Sequence, residues 1–376
     1  MSSTNPTVLN RIYQFAASLK LTVVLMGLSM ILILLGTLEQ VHWGVWHIQK
    51  EYFSTWFCLY PLNSSAPLHL PLPGGFLLGL ILVINLICAH FQKFQDKKGY
   101  KHWGIKMIHI GLLLLLVGGF VTALYQDESA MVIPEKEQRN YSEAFRSYEL
   151  VVIEHTSDGT DKVVSVPEEL LQKTTLSLPN TPFTAKILKY FPNSILRAKS
   201  QFPQGDVVQV TQGVGARTPL TYKPIPESFD DNNPNNPLAI VEISSGKLSL
   251  GSWILNAQLG ESFPAQTFVH EGKTYEVNLR KLRQYLPFSI TLNQFTHEKY
   301  PGTDIPKRFV SDVMVTGETT TFPYTISMNQ PMRHGGMTFF QSSFGTTSEG
   351  KNISVLQVVR NPGWLIPYIS VSLMSL

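Results

Sequence analysis

The residue with the clearest chemical potential is a histidine inside an apolar run. His109 lies within MIHIGLLLLLVGG, and the stretch from Met107 to Tyr125 holds no lysine, arginine, aspartate or glutamate. Ionisable groups at membrane depth are costly and rare, so their default reading is functional. Neutral imidazole is a good iron ligand and a standard axial ligand of haem. The same side chain could instead hydrogen-bond a neighbouring helix or reach toward the interface. A helix that begins at Trp103 puts His109 about 9 Å in from its start. His102 stands on nearly the same helix face about 10.5 Å away, too far for both to bind one iron. A second axial ligand would come from another helix or from a partner protein. His90, at the end of the second apolar run, is the internal candidate.

Other reactive residue types are sparse. The two cysteines, Cys58 and Cys88, form no CxxC, so neither a zinc ribbon nor a self-contained dithiol is available. There is no GxSxG, HExxH or Gly-rich phosphate loop. His155, His270, His297 and His334 are widely scattered and read as ordinary surface or core histidines. Glu168–Glu169 and Asp230–Asp231 sit in polar turns and read as solvated pairs. His42 and His47 flank Trp43 and Trp46, a poor spacing for shared metal ligation on one helix face. The aromatic segment Trp43, Trp46, Tyr52, Phe53, Trp56, Phe57 and Tyr60 reads as a belt at lipid headgroups. It could also be a platform for a flat apolar ligand or a partner protein.

The elements that must hold His109 follow from the charge distribution. The chain has 376 residues, 15% of them charged and 44% hydrophobic; an average soluble domain is about 25% charged. Residues 1–125 carry eight basic and three acidic side chains, and residues 364–376 carry none. The remaining charge falls in 126–363. This pattern excludes a uniform globular protein, a disordered chain and a fully membrane-buried transporter. The net charge of +3 is too small to indicate a nucleic-acid partner.

Three apolar runs, about 21–38, 74–91 and 107–125, have the length of spanning helices. Asn85 in the second reads as interhelical hydrogen-bonding glue. Gly118 and Gly119 in the third read as points of close helix packing. Lys93, Lys97, Lys98, Lys101 and Lys106 crowd the loop between the second and third runs, whereas the loop 39–75 carries only Lys50. The positive-inside rule then places the N-terminus and the lysine-rich loop in the cytoplasm, and 126–363 outside. Cys58 falls outside and Cys88 near the inner face, where they cannot pair. The tail 364–376 reads as a fourth span cut short: as a helix it reaches about 20 Å, against a hydrocarbon core of about 30 Å.

The section 126–363 reads as mostly strands. Expected segments are Tyr148–Ile153, Val163–Val166, Phe183–Leu188, Val207–Val210, Ala239–Ile243, Thr274–Leu279, Phe288–Leu292, Val310–Val315, Tyr324–Met328 and Met337–Gln341. Asp158–Gly159, Asn180, Gly205, Glu271–Gly272, Gly317 and Gly335–Gly336 mark turns. The polar run Asp230–Pro237 marks an insertion or a lobe boundary. The expected fold is a helical transmembrane bundle plus a large extracytoplasmic mainly-β domain, divisible into two lobes.

Several stretches resemble the ResB/CcsB family of cytochrome c biogenesis proteins, of the System II pathway. They are SLKLTVVLMGLSMILILLGTLEQ, NLICAHFQK, HIGLLLLLVGGFVT, LPFSITLNQF, YPGTDIPKRFVSDVMV, ISMNQPMRHGGMTFFQSSFG and VVRNPGW, in the family's order. The span from Tyr148 to Ser262 is weakly matched. The resemblance implies a multi-pass protein of a cytoplasmic (inner) or thylakoid-type membrane. It implies a CcsA/ResC-type membrane partner, with which the chain moves haem b across the membrane and attaches it to CxxCH of apocytochrome c. It implies that His109 is an axial ligand of intramembrane haem, with the other ligand on the partner. The partner's tryptophan-rich haem-handling segment is absent here, so the chain would be a non-catalytic or co-catalytic subunit of a haem lyase. Two other readings stand beside this one: an assembly or chaperone module without haem ligation, and a thiol-redox component.

Overall fold

The computed structural model describes residues 8–61, 69–94, 103–156, 160–230, 233–259, 263–303 and 306–376. Lys97, Lys98, Lys101, His102, Asp158, Gly159 and Asp231 lie outside the described residues. The chain builds a set of apolar helices and a large mainly-β domain.

A short helix α1 (Val8–Ala16) leads into α2 (Leu19–Ile48), whose N-terminal Ser18 side chain accepts the Leu21 N–H at 3.3 Å. Helices α3 (Gly75–Phe94) and α4 (Trp103–Tyr125) follow. Among the described residues three helices, Leu19–Phe53, Gly75–Gln92 and Trp103–Tyr125, are long and apolar enough to cross a membrane. Their outward faces are apolar and exposed, as at Val23, Met30, Leu34 and Ile84. Two ring contacts define how α3 and α4 pair. Phe76 meets Phe120 at 5.0 Å between ring centroids and His90 meets His109 at 6.1 Å, so the helices run antiparallel.

Helix α2 continues beyond the expected boundary at Leu38. Glu39 suggested a membrane edge, but a charge does not stop a helix, and no helix breaker occurs before Gly44. There the backbone turns to φ +77°, ψ 160°, a region open essentially only to glycine. One more helical turn and a π-turn (Gln49–Phe53) follow, then a hairpin of β1 (Phe57–Pro61) and β2 (His69–Pro73). The aromatic segment is therefore carried largely on helix. Leu25, Leu32, Ile48, Tyr52, Cys58 and Leu78 form one small core that joins α2, the hairpin and α3.

A single residue, Gln126, separates the end of α4 from strand β3 (Asp127–Pro134). The strand pairs with Asn352–Arg360, Asp127 opposite Arg360, near the middle of a ten-stranded antiparallel sheet. The tail helix Ile366–Ser375 packs back on α4, so the strand pair continues as a helix pair. A Cβ on Gly118 would lie 2.5 Å from Ile366 Cγ2, and one on Gly111 2.5 Å from Met374 Cγ. Gly118 thus permits close packing as expected; Gly119 faces open space and does not.

Two long strands, β4 (Gln138–His155) and Lys273–Lys299, run through the domain and pair with each other. Around one end a core of Met131, Ile133, Ile290, Val313, Phe339 and Leu356 fills the folded ten-stranded sheet. At the other end Leu150, Val277 and Leu279 pack against Trp253, Phe183 and Val241 of a separate four-stranded sheet. Glu271–Gly272 and Gly335–Gly336 form two-residue hairpin turns with positive φ at both positions, as their sequence demands. Val207–Val210 is not one strand: only Asp206–Val207 joins a ladder.

Candidate functional site

His109 is the seventh residue of α4, and its ring meets that of His90 on α3. Its Nδ1 lies 2.7 Å from the Ile105 carbonyl one turn back. A carbonyl only accepts, so Nδ1 carries the proton in that bond and the lone pair resides on Nε2. A backbone carbonyl orienting one imidazole nitrogen is the usual way a ligating histidine is fixed in tautomer and direction.

The His90 ring stands beside it, 6.1 Å away between centroids and tilted by 51°. The structure therefore brings together the two histidines singled out by sequence, from the ends of two antiparallel helices. His102 lies outside the described residues.

A cavity of about 550 Å³ opens where the α1–α2 bend meets α3 and α4. This lies within the roughly 300–1,000 Å³ typical of small-molecule and cofactor sites. His109 borders it, with Leu86, Ile108 and Leu112 as apolar wall and Thr22 and Gln92 as polar rim. His90 is adjacent to His109 but not in this wall. On the cavity side the donor set is one oriented imidazole in a mainly apolar wall, which suits an apolar molecule bearing an iron atom; His90 is not part of it.

Asn85 holds the enclosure in shape, as expected of interhelical glue. It is 3% exposed; its Nδ2 donates to the Ala16 carbonyl at 2.7 Å and the Ser18 carbonyl at 3.2 Å. Its Oδ1 accepts from Thr22 Oγ1 at 2.7 Å. These three hydrogen bonds tie α3 to the α1–α2 bend.

Sequence reading missed a joint between helix and β domain. Phe229 of the polar loop lodges among Trp43, Trp46 and His47, its ring 4.2 Å from the His47 ring and stacked on Trp46 at 6.5 Å. Arg146 of β4 lies over the Trp46 ring at 5.0 Å and donates to the Ser228 and Phe229 carbonyls. A Cβ on Gly44 would sit 2.5 Å from the Phe229 carbonyl oxygen. Trp43 and Trp46 are thus a platform for the protein's own loop, whereas Trp56 and Phe57 of the same aromatic segment stay exposed. The one signal in sequence was a lone phenylalanine beside DDNNPNNP.

The outer histidines each pack against local neighbours, although among the described residues the buried Nε2 of His297 has no hydrogen-bond partner. His155 pairs with Asp161 and Glu276, His270 packs on Phe183, His297 lies between Phe309 and Phe344, and His334 between Phe288 and Phe322. Among the described residues no group of three or more His, Cys, Asp or Glu could hold a metal ion. Cys58 is buried, and burial pushes its thiol above the ordinary range. It packs near Leu78, about 15 Å of helix away from Cys88. Both cysteines are free.

Comparison with known proteins adds a family relationship. Residues 240–375 match the ResB-like family. Protein NrfI of Wolinella succinogenes is 31% identical over 93 residues, which is 24% of this chain and 10% of NrfI. The chain therefore spans about a tenth of that relative. The family match covers the distal part of the β domain and the tail helix, and does not include His90 or His109.

Proposed function

We propose, from the ResB-like match over residues 240–375, that this chain is a membrane protein of cytochrome c biogenesis. In this reading α2, α3 and α4 span the bilayer, the N-terminus and the lysine-rich loop face the cytoplasm, and the β domain stands outside. Haem is the cargo. His109 ligates its iron through Nε2 within the cavity between α1–α2, α3 and α4, and His90 is the internal candidate for the second axial position. A CcsA/ResC-type partner supplies the rest of the haem-handling machinery and joins this chain in delivering haem to apocytochrome c.

The observation that carries this reading is the oriented imidazole of His109 in the wall of a cofactor-sized cavity. A second reading, an assembly module without haem contact, is favoured by the position of the family match in the outer domain. A thiol-redox role has less support, because Cys58 is buried with a raised thiol pKa and lies far from Cys88.

The test is holocytochrome c yield in cells that depend on this chain and its partner. His109→Ala should abolish or strongly lower the yield, and Cys58→Ser with Cys88→Ser should leave it intact. Unchanged yield in His109→Ala would leave the assembly-module reading. Loss in the cysteine variant would revive the redox reading.

A further inference from the structure

The hairpin of β1 and β2 is fixed in place by its contacts with the start of α3. The Gly74 N–H donates to the Trp56 carbonyl at 2.9 Å, and the Phe76 N–H to the Thr55 carbonyl at 3.1 Å. A Cβ on Gly74 would collide with the Thr55 carbonyl, and one on Gly75 with the Phe53 carbonyl. The Trp56 ring meets that of Phe76, which in turn meets Phe120 of α4. One face of β1 turns toward the bundle: Cys58 shares a core with Leu78, the fourth residue of α3. Successive side chains of a strand point to opposite faces. Phe57 and Leu59 therefore point away from that core, and they are 69% and 63% exposed. Pro73 and Pro71 stand opposite them on β2.

We infer that this outward face of the hairpin rests against phospholipid, at the boundary of acyl chains and headgroups on the β-domain side of the bundle. This rests on the reading that α2, α3 and α4 span the bilayer. Three observations select lipid over water or a protein partner. The first is level. Phe57 and Leu59 flank Cys58, which packs with Leu78, so their face stands beside the first turn of a span. The second is charge. Between Glu51 and Lys93 the chain has no aspartate, glutamate, lysine or arginine, so residues 52–74 are as free of charge as the apolar run that follows. A soluble segment of that length would carry about six charged residues. The third is the backbone. The bond from Gly74 to Trp56 makes Phe57 and Pro73 the next, non-bonded pair of the ladder, so the backbone of Pro71 and Pro73 faces the outer edge of β2. Proline has no N–H, and that edge therefore lacks a donor at both positions. Fewer donors make the edge cheaper to remove from water, and they give an added strand nothing to accept from there. The Phe57 and Leu59 N–H groups face the outer edge of β1, where lipid ester and phosphate oxygens can accept from them. Open strand edges are not tolerated in the hydrocarbon itself, which sets the face at its boundary.

The test uses the full chain in membranes of cells that also make its partner. The photo-crosslinker p-benzoylphenylalanine replaces, one at a time, Phe57, Leu59, Val23 of α2 and Val269 of the β domain, all of them exposed. After irradiation the adducts are identified by mass spectrometry. Phe57 and Leu59 should give phospholipid adducts at a yield close to that of Val23 and several-fold above that of Val269. Protein adducts, or none, at both Phe57 and Leu59 beside lipid adducts at Val23 would overturn the proposal and leave the span intact. Lipid adducts at Val269 as frequent as at Phe57 would overturn it too, because the hairpin would then show no preference over a strand of the β domain. An absence of lipid adducts at Val23 would remove the spanning reading and the proposal together.

Discussion

The imidazoles of His90 and His109 stand 6.1 Å apart, tilted by 51°, where the end of α3 meets the start of α4. Only His109 borders the adjacent cavity, and its Nδ1 is committed to the Ile105 carbonyl. The two side chains are therefore neighbours with unequal roles. His90→Ala should lower the haem content of the purified complex, and by less than His109→Ala. Haem per protein measured by the pyridine haemochrome assay checks this; an equal or larger loss in His90→Ala would reverse the assignment.

The helix pair α4 and Ile366–Ser375 depends on glycine at one position and not at its neighbour. A methyl on Gly118 meets the branched stem of Ile366, which cannot swing aside. Overpacking of this kind costs about 1–3 kcal/mol. Gly119 has open space, and alanine there gains up to about 1 kcal/mol of helix preference. Thermal unfolding in detergent should show Gly118→Ala less stable than the parent and Gly119→Ala equal or more stable.

The Phe229 joint should loosen when Gly44 is replaced. Alanine would have to hold φ near +77° and would strike the Phe229 carbonyl. A strained backbone of this type costs about 1–3 kcal/mol. Gly44→Ala and Phe229→Ala should both raise the rate of proteolytic cleavage in the loop that carries Phe229, while Phe57→Ala, on an exposed ring of β1 outside the joint, should not. Equal cleavage in all three would show that the joint contributes nothing to holding the loop.

Glu168 gives the β domain a pH dependence of known sign. Its carboxylate accepts the Tyr148 N–H at 3.0 Å and the Tyr190 hydroxyl at 2.7 Å, but burial dominates and holds its pKa above the ordinary 4.5. A carboxyl raised on folding contributes stability below the unfolded pKa and loses it as pH rises through the folded value. The advantage of the parent over Glu168→Ala in Tm should therefore be greatest below the unfolded carboxyl pKa and shrink as pH rises through the folded value. An advantage that grows with pH would mean that the two hydrogen bonds outweigh burial.

Much of this architecture was legible in the sequence because it rests on composition and period. The apolar runs, the mainly-β domain, Asn85 and the glycine-bearing hairpin turns all follow from residue type at its own position. What escaped depends on contacts between distant residues. The Lys273–Lys299 strand reads as two pieces because Arg280, Lys281, Arg283 and Pro287 interrupt its apolar pattern; register shifts let it bend past them. Gly111 looks like any helix glycine until Met374 packs on it. The pairing of His90 with His109 needs the rotation of two helices about their axes, which no local pattern specifies. The Phe229 joint couples residues from Gly44 to Arg146 to Phe229 and leaves no periodic trace at all.

The claim that His109 ligates haem is tested most directly by the absorption spectrum of the detergent-purified complex of this chain with its membrane partner. The parent complex should show a haem Soret band. His109→Ala should weaken or abolish that band, and added imidazole should restore part of it. A Soret band of unchanged position and intensity in His109→Ala would contradict the account.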